Sequence, residues 1–350
     1  MRAEVKMKSE LDSNRCEPAA MLEVAEQTRG PKLNLCGFAI YCTAVVTALM
    51  VWVSGTDGLG PIDDHHFIRT IFQGNEFGSY VMPELGRFFP LTAQEYILAA
   101  KLFGPSGQLF YFINALKIIL LGGLLFYCLA QMGLGILASA ILWSTVIFSM
   151  GIANTLFRLH AGDLNALILM LVFTLCILKL HDRQDSEYTW LKGYAIIGGI
   201  AFLLALFYKE LIFVFGLIFA LSEILRAYLI KKSRASVFIV VILLISVAYI
   251  MFYGIWRYVN VTGSYVEFHS ISAWNVITLF AISDPFIILM VLPVTAYRVT
   301  TFLRHPECYS IYDSMLLAAC AYVSAYILLG MFNSYYLLPA YAFSICGLAG

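Results

Sequence analysis

Four consecutive ionisable side chains, Asp63-Asp64-His65-His66, follow Pro61-Ile62 a few residues beyond the first long apolar run of the chain. Adjacent carboxylates raise one another's pKa and attract a positive partner, so such a pair can take a proton from a hydroxyl or hold a divalent cation such as Mg or Mn. The plain alternative is a solvated loop in which one aspartate caps a helix. A second element, Glu84-Leu85-Gly86-Arg87-Phe88-Phe89-Pro90-Leu91, embeds an arginine among aromatic residues. A planar guanidinium fork suits phosphate, although arginine also snorkels to lipid headgroups without any chemical role.

Three further clusters carry charge or polarity between apolar runs. Arg158-Leu159-His160-Ala161-Gly162-Asp163 is a compact charged turn that can complete an anion site or simply close a helical hairpin. Tyr208-Lys209-Glu210 interrupts two apolar segments with almost no loop between them, and charges so close to hydrocarbon are costly and often functional. A Lys209–Glu210 pair that caps the hairpin is the bland reading. Asp284-Pro285 and Asn333-Ser334-Tyr335-Tyr336-Leu337-Leu338-Pro339 open two later segments, with a helix-start role for Asp284 and an aromatic-belt role for the tyrosines as defaults.

The elements that must position these groups are membrane helices. Of 350 residues 61% are hydrophobic and 13% charged, about half the charge of an ordinary soluble domain, and the runs 33–56, 118–157 and 314–350 contain no Asp, Glu, Lys or Arg. Hydropathy predicts spans near 34–54, 109–130, 134–153, 163–180, 193–208, 211–229, 236–256, 281–299, 313–332 and 335–350, about ten helices in an all-α polytopic membrane protein. The segment 1–32 reads as a cytoplasmic tail, and the apolar run after it is too long for a signal-peptide core and reads as a retained anchor. Residues 33–350 form the membrane domain, in which 55–108 is a long first exported loop whose stretches 67–72 and 92–103 suit interfacial helices. The last apolar run is short for a crossing, which suggests a chain that continues beyond Gly350.

With the N-terminus inside, 15 Lys and Arg fall on the cytoplasmic side and six on the exported side, with Lys117 left within a span. That asymmetry sets the orientation. It also places Asp63/Asp64, Arg87, Arg158/His160, Lys209/Glu210 and Asp284 on one exported face, where carboxylates and cations together describe a site for a phosphate to neutralise and a hydroxyl to activate. Net charge is zero and no nucleic-acid partner is indicated. The eight cysteines avoid the exported loop, so a disulfide framework is not expected.

In order and sidedness, the acidic pair Asp63-Asp64, the Tyr208-Lys209-Glu210 element and the Tyr336-Leu337-Leu338-Pro339 run resemble the GT-C superfamily of membrane glycosyltransferases. The likeness points to the protein-mannosyltransferase-like and aminoarabinose-transferase-like branches. It implies transfer of a sugar from a polyprenyl-phosphate carrier to a lipid, glycan or protein acceptor at the exported face, by an inverting displacement. In those branches the first-loop acid is the proposed base or metal-site residue, which maps onto Asp63 or Asp64. Arg87, Arg158 and Lys209 are then candidates for holding the leaving phosphate, with His65, His66, His160 and Tyr336 as further substrate contacts and Glu84 and Glu210 orienting the cations. The two histidines after the acidic pair and the lack of a sizeable soluble domain depart from the family pattern. A bacterial inner membrane and a role in cell-envelope glycan synthesis fit this reading. A lipid-linked-sugar flippase is the main rival, but transporters place charges near mid-membrane in repeated halves, whereas here they gather at one rim. A polymerase or acyltransferase is the third reading, the latter calling for a prominent histidine at a span.

Overall fold

The computed structural model of the chain describes residues 43, 46–47, 80–83, 86–159, 161–182, 188–229, 236–260 and 271–349. Its helices are α1 (Gln94–Phe103), α2 (Gly107–Gln131), α3 (Ile136–Ile147), α4 (Met150–Leu156), α5 (Asp163–Asp182) and α6 (Tyr188–Tyr208), then α7 (Ile212–Leu229), α8 (Val237–Asn260), α9 (Ala273–Ser283), α10 (Leu292–Arg304), α11 (Ile311–Leu328) and α12 (Leu338–Ala349). One antiparallel hairpin, β1 (Tyr80–Met82) with β2 (Arg87–Phe89), precedes them. The architecture is the expected all-α polytopic one.

Among the described residues, five helical stretches have the length and composition to cross a bilayer, or six if the bent pair α3–α4 counts as one span. Lys192–Tyr208, Ala273–Ser283 and Leu338–Leu348 are apolar but shorter. The expected count of about ten includes such short segments as well as 34–54, nearly all of which lies outside the described residues. Two boundaries differ from expectation for local reasons. The segment 134–153 is bent by 49°, because the chain leaves helix at Phe148 and restarts where Ser149 Oγ accepts from Ile152 N–H at 3.3 Å. The span expected over 281–299 is found as Ile287–Arg304: the apolar helix α9 ends at a break at Asp284, and the spanning stretch begins with a π-helical turn over Ile287–Val291 that runs on into α10. A helix, α1, forms within the expected 92–103; the one expected over 67–72 lies outside the described residues.

Aromatic side chains from several helices fill the core. Phe173 of α5 meets Phe202 of α6, Phe219 of α7, Phe238 of α8 and Phe343 of α12, with ring centroids 5.0 to 6.3 Å apart. At Gly216 the helices α6, α7 and α8 approach so closely that a Cβ would stand 2.2 Å from Phe202 Cζ and 2.3 Å from Ser246 Oγ. The outer face of α8 is apolar and exposed at Leu244, Met251 and Ile255, as a lipid-facing surface requires. The five cysteines among the described residues, at 128, 176, 308, 320 and 346, carry free thiols.

Candidate functional site

The hairpin delivers its residues by the period of two of a β-strand. Phe88 faces α8, with its ring 5.3 Å from Phe252 and 5.2 Å from Trp256, while Arg87 and Phe89 turn to the other side and line a cavity. Gly86 makes the preceding turn at φ 66°, in the left-handed region that glycine enters without strain. Its carbonyl accepts from Tyr253 Oη at 2.7 Å, which ties the hairpin to α8.

Lys209 sits in the tight turn between α6 and α7, with its N–H still bonded to Ala205 O and its carbonyl accepting from Ile212 N–H. Its side chain is buried, and its Nζ lies 2.9 Å from Asp163 Oδ1, itself buried at the start of α5. A carboxylate in the first helical turn also meets the positive end of the helix dipole. Gly162 permits this meeting: a Cβ there would stand 2.7 Å from Thr92 Oγ1 and 3.1 Å from Tyr208 O. Sequence neighbourhood suggests Glu210 as the partner of Lys209; the structure gives Asp163 instead. Glu210 is half-buried overall, but its Oε2 is buried without a hydrogen-bond partner among the described residues, and burial pushes its carboxyl above the usual range against the pull of Arg87 and Lys209.

From the far end of the sequence, the turn before α12 brings Tyr336 over these cations. Lys209 Nζ lies 4.1 Å from the Tyr336 ring centroid, and Arg87 Nη2 donates to Tyr336 Oη at 3.2 Å. Arg158 stacks on Tyr335 at 5.5 Å, and Lys209 is 5.7 Å from that same ring. Arg87, Arg158, Lys209, Glu210 and Tyr336, five of the sequence-selected residues, thus converge at one end of the bundle. Asp63, Asp64, His65, His66, Glu84 and His160 lie outside the described residues. Asp284 does not join this cluster as its charge suggested. Its Oδ1 accepts from Tyr341 Oη at 2.7 Å and from Ile287 N–H at 3.4 Å, so it restarts the broken helix and holds α12.

The cavity has a volume of about 280 Å³. Its lining combines Arg87, Lys209, Glu210, Arg257 and the hydroxyl-bearing Tyr253, Tyr326 and Tyr336 with the apolar Leu211, Phe213, Ile250, Leu329 and Met331. A cationic rim on an apolar slot fits an amphiphile with an anionic head. Arg257 is missed as a site residue because the expected span stops at 256, whereas α8 continues to Asn260. The signal was present: Tyr249, Tyr253 and Arg257 recur at i, i+4 and i+8, one helix face, and the first two rings stack at 6.1 Å. A second polar group joins α1, α2 and α5. Lys117, left within a span by the hydropathy pattern, bonds Glu95 Oε1 at 2.5 Å and Tyr96 Oη at 2.8 Å, and Asn165 donates to the same Glu95 oxygen at 2.7 Å. Among the described residues, no group of three or more His, Cys, Asp or Glu side chains is placed to hold a metal.

Fold and site together define a polytopic membrane protein with a cavity lined by Arg87, Lys209 and Arg257 at one end of its helical bundle. Among solved structures the chain is similar to ArnT from Cupriavidus metallidurans bound to undecaprenyl phosphate, with a TM-score of 0.57 and 17% identity over 88% of this chain. It is similar also to the same protein in the apo state, at 0.57 and 15%. The aligned region spans 59% of the length of those structures. No protein-family model and no curated protein matches the chain. At such identity the likeness is one of fold, and the fold is the one the sequence resemblance leads one to expect.

Proposed function

We propose that the chain transfers a sugar from a polyprenyl-phosphate carrier to an acceptor at the exported membrane face. The observation that carries this reading is the cavity in which Arg87, Lys209, Arg257 and Tyr336 face an apolar slot, on a fold shared with a protein crystallised with undecaprenyl phosphate. A lipid phosphate leaving an anomeric carbon develops negative charge, and preorganised cations in a water-poor cavity stabilise it where it forms. Tyr336 fixes Arg87 by accepting its hydrogen bond, and Asp163 fixes Lys209, so neither cation has to reorganise as the bond breaks.

In this reading Asp63 or Asp64 removes the acceptor proton as the acceptor oxygen displaces the phosphate with inversion at the anomeric carbon; if a divalent cation takes part, these carboxylates would hold it and it would supply positive charge to the reacting oxygens. The acceptor is a lipid, glycan or protein, and the setting is a bacterial inner membrane with the N-terminus cytoplasmic. The test is sugar transfer in membranes from a radiolabelled polyprenyl-phosphoryl sugar, comparing wild type with Asp63→Asn and Asp64→Asn. Loss of roughly a hundredfold or more in one variant is expected of a general base. Wild-type turnover in both would end the base assignment, and transbilayer movement of labelled lipid with no glycosidic product would favour the flippase.

A further inference from the structure

The helices α7 and α11 carry the cationic cavity at one end, and the same seam opens again at the other. Lys209 precedes α7 and Tyr326 lies near the end of α11; Arg226 and Asp313 lie at the opposite ends of those helices and line a second cavity of about 170 Å³. The stretch of α7 from Ile212 to Arg226 rises about 21 Å, so the two openings sit near opposite faces of a hydrocarbon layer of about 30 Å.

Two arginines on this second cavity are locked in place. Arg226 gives Nε and Nη2 to Glu223 at 2.9 and 2.5 Å, and Glu223 is held in turn by Ser314 Oγ at 2.6 Å. Arg298 gives Nε and Nη2 to Asp313 at 2.5 and 3.0 Å, and Asp313 accepts from Ser310 N–H at 2.8 Å in a capping box. A guanidinium has five N–H donors, and the pairing leaves the Nη1 edge of each without a protein acceptor among the described residues. Carboxylates that are themselves pinned leave these edges preorganised, so a ligand would lose little side-chain freedom on binding. Ser222, Thr295, Tyr309 and the paired Asp313 add polar groups beside the arginines, Val299 and Phe302 add apolar ones, and Leu225 and Leu303 are exposed on the outer side, where a spanning helix meets lipid. By the asymmetry of Lys and Arg in the sequence this is the cytoplasmic end, which attracts anionic headgroups.

We propose that this cleft between α7, α10 and α11 is a binding site for an anionic glycerophospholipid, its phosphate on the free edges of Arg226 and Arg298 and an acyl chain against Leu225, Val299 and Leu303. The site is independent of the sugar-transfer reading. The experiment uses the full chain in detergent micelles, titrated with phosphatidylglycerol bearing a photoactivatable acyl chain, with crosslinked peptides identified by mass spectrometry. Saturable labelling of α7 and α10 is expected. Arg298→Gln, at a side chain about one-third exposed, should weaken it roughly tenfold, the contribution of one charged hydrogen bond. Val299→Trp should block the cleft by filling it while leaving both ion pairs intact, and melting curves check that each variant folds. Dioleoylglycerol, which lacks the phosphate, should compete at least tenfold less well. Labelling that neither variant changes, or equal competition by dioleoylglycerol, would overturn the proposal.

Discussion

Replacing Lys209 by Met should destabilise the protein and abolish activity, and the two effects can be separated. The Lys209 and Asp163 side chains are 7% and 4% exposed with N and O 2.9 Å apart, so at an effective dielectric of ~20 their attraction is about 6 kcal/mol before desolvation. Desolvation offsets most of that in the intact pair, but removing one partner strands the other, at a cost of about 3–5 kcal/mol. Lys209→Met therefore leaves Asp163 as an uncompensated carboxylate at the head of α5. Adding Asp163→Asn removes that charge and should restore at least about 2 kcal/mol of the loss. Sugar transfer should stay abolished in the double variant, because the cation at the phosphate is still missing. The assay is reversible unfolding in mixed micelles for the stability cycle, alongside turnover in membranes. A loss below about 1 kcal/mol for Lys209→Met would place the pair in solvent rather than in the protein interior. A double variant no more stable than the single one, or one that regains turnover, would refute the account of Lys209 as a buried cation held for the ligand.

Tyr336→Phe removes the acceptor that fixes Arg87 but keeps the ring over Lys209, so kcat should fall roughly 5- to 20-fold, about 1–2 kcal/mol, with folding intact; an unchanged kcat would deny Tyr336 that positioning role. Glu210 carries a carboxyl whose pKa burial raises, so its protonated form is favoured in the folded state, and stability is lost as pH rises from the ordinary glutamate range through the folded pKa. Glu210→Gln should accordingly be more stable than wild type at pH 8, with the difference vanishing as pH falls to about 4; parallel pH profiles for the two would contradict the burial of that group. Gly216→Ala places a methyl against Phe202 and Ser246 and should lower stability by about 1–3 kcal/mol in the same unfolding assay, whereas a neutral result would mean that the α6–α7–α8 junction has room to spare.

The membrane helices are legible in the sequence because a run of some twenty uncharged, apolar residues is too long for an ordinary core helix and matches the thickness of a bilayer. Arg87, Arg158, Lys209, Glu210 and Tyr336 are legible as a group because a charged or hydrogen-bonding residue at the end of an apolar segment has to be satisfied at the rim, and the Lys and Arg asymmetry sorts the rims. Pairing is harder to read. Lys209 and Asp163 are 46 positions apart, and only the packing of α5 against α6 joins them, whereas the adjacent Glu210 offers a local partner that the turn geometry does not use. Asp284 shows the converse: its charge and its position beside a proline place it with the rim cluster, but the chain breaks its helix there and Tyr341 takes its carboxylate. Arg257 was hidden by a helix end misjudged by one turn, which moved it from a helix face into a loop.

The central claim is that the cavity holds a lipid phosphate among Arg87, Lys209, Arg257 and Tyr336. The most direct measurement is a cryo-EM structure of the protein with undecaprenyl phosphate. The account predicts phosphate density within hydrogen-bonding reach of Arg87 and Lys209, with the chain running along Phe213 and Ile250. Lipid density found only on the outer faces of the helices, with the cavity closed or filled by protein, would contradict it.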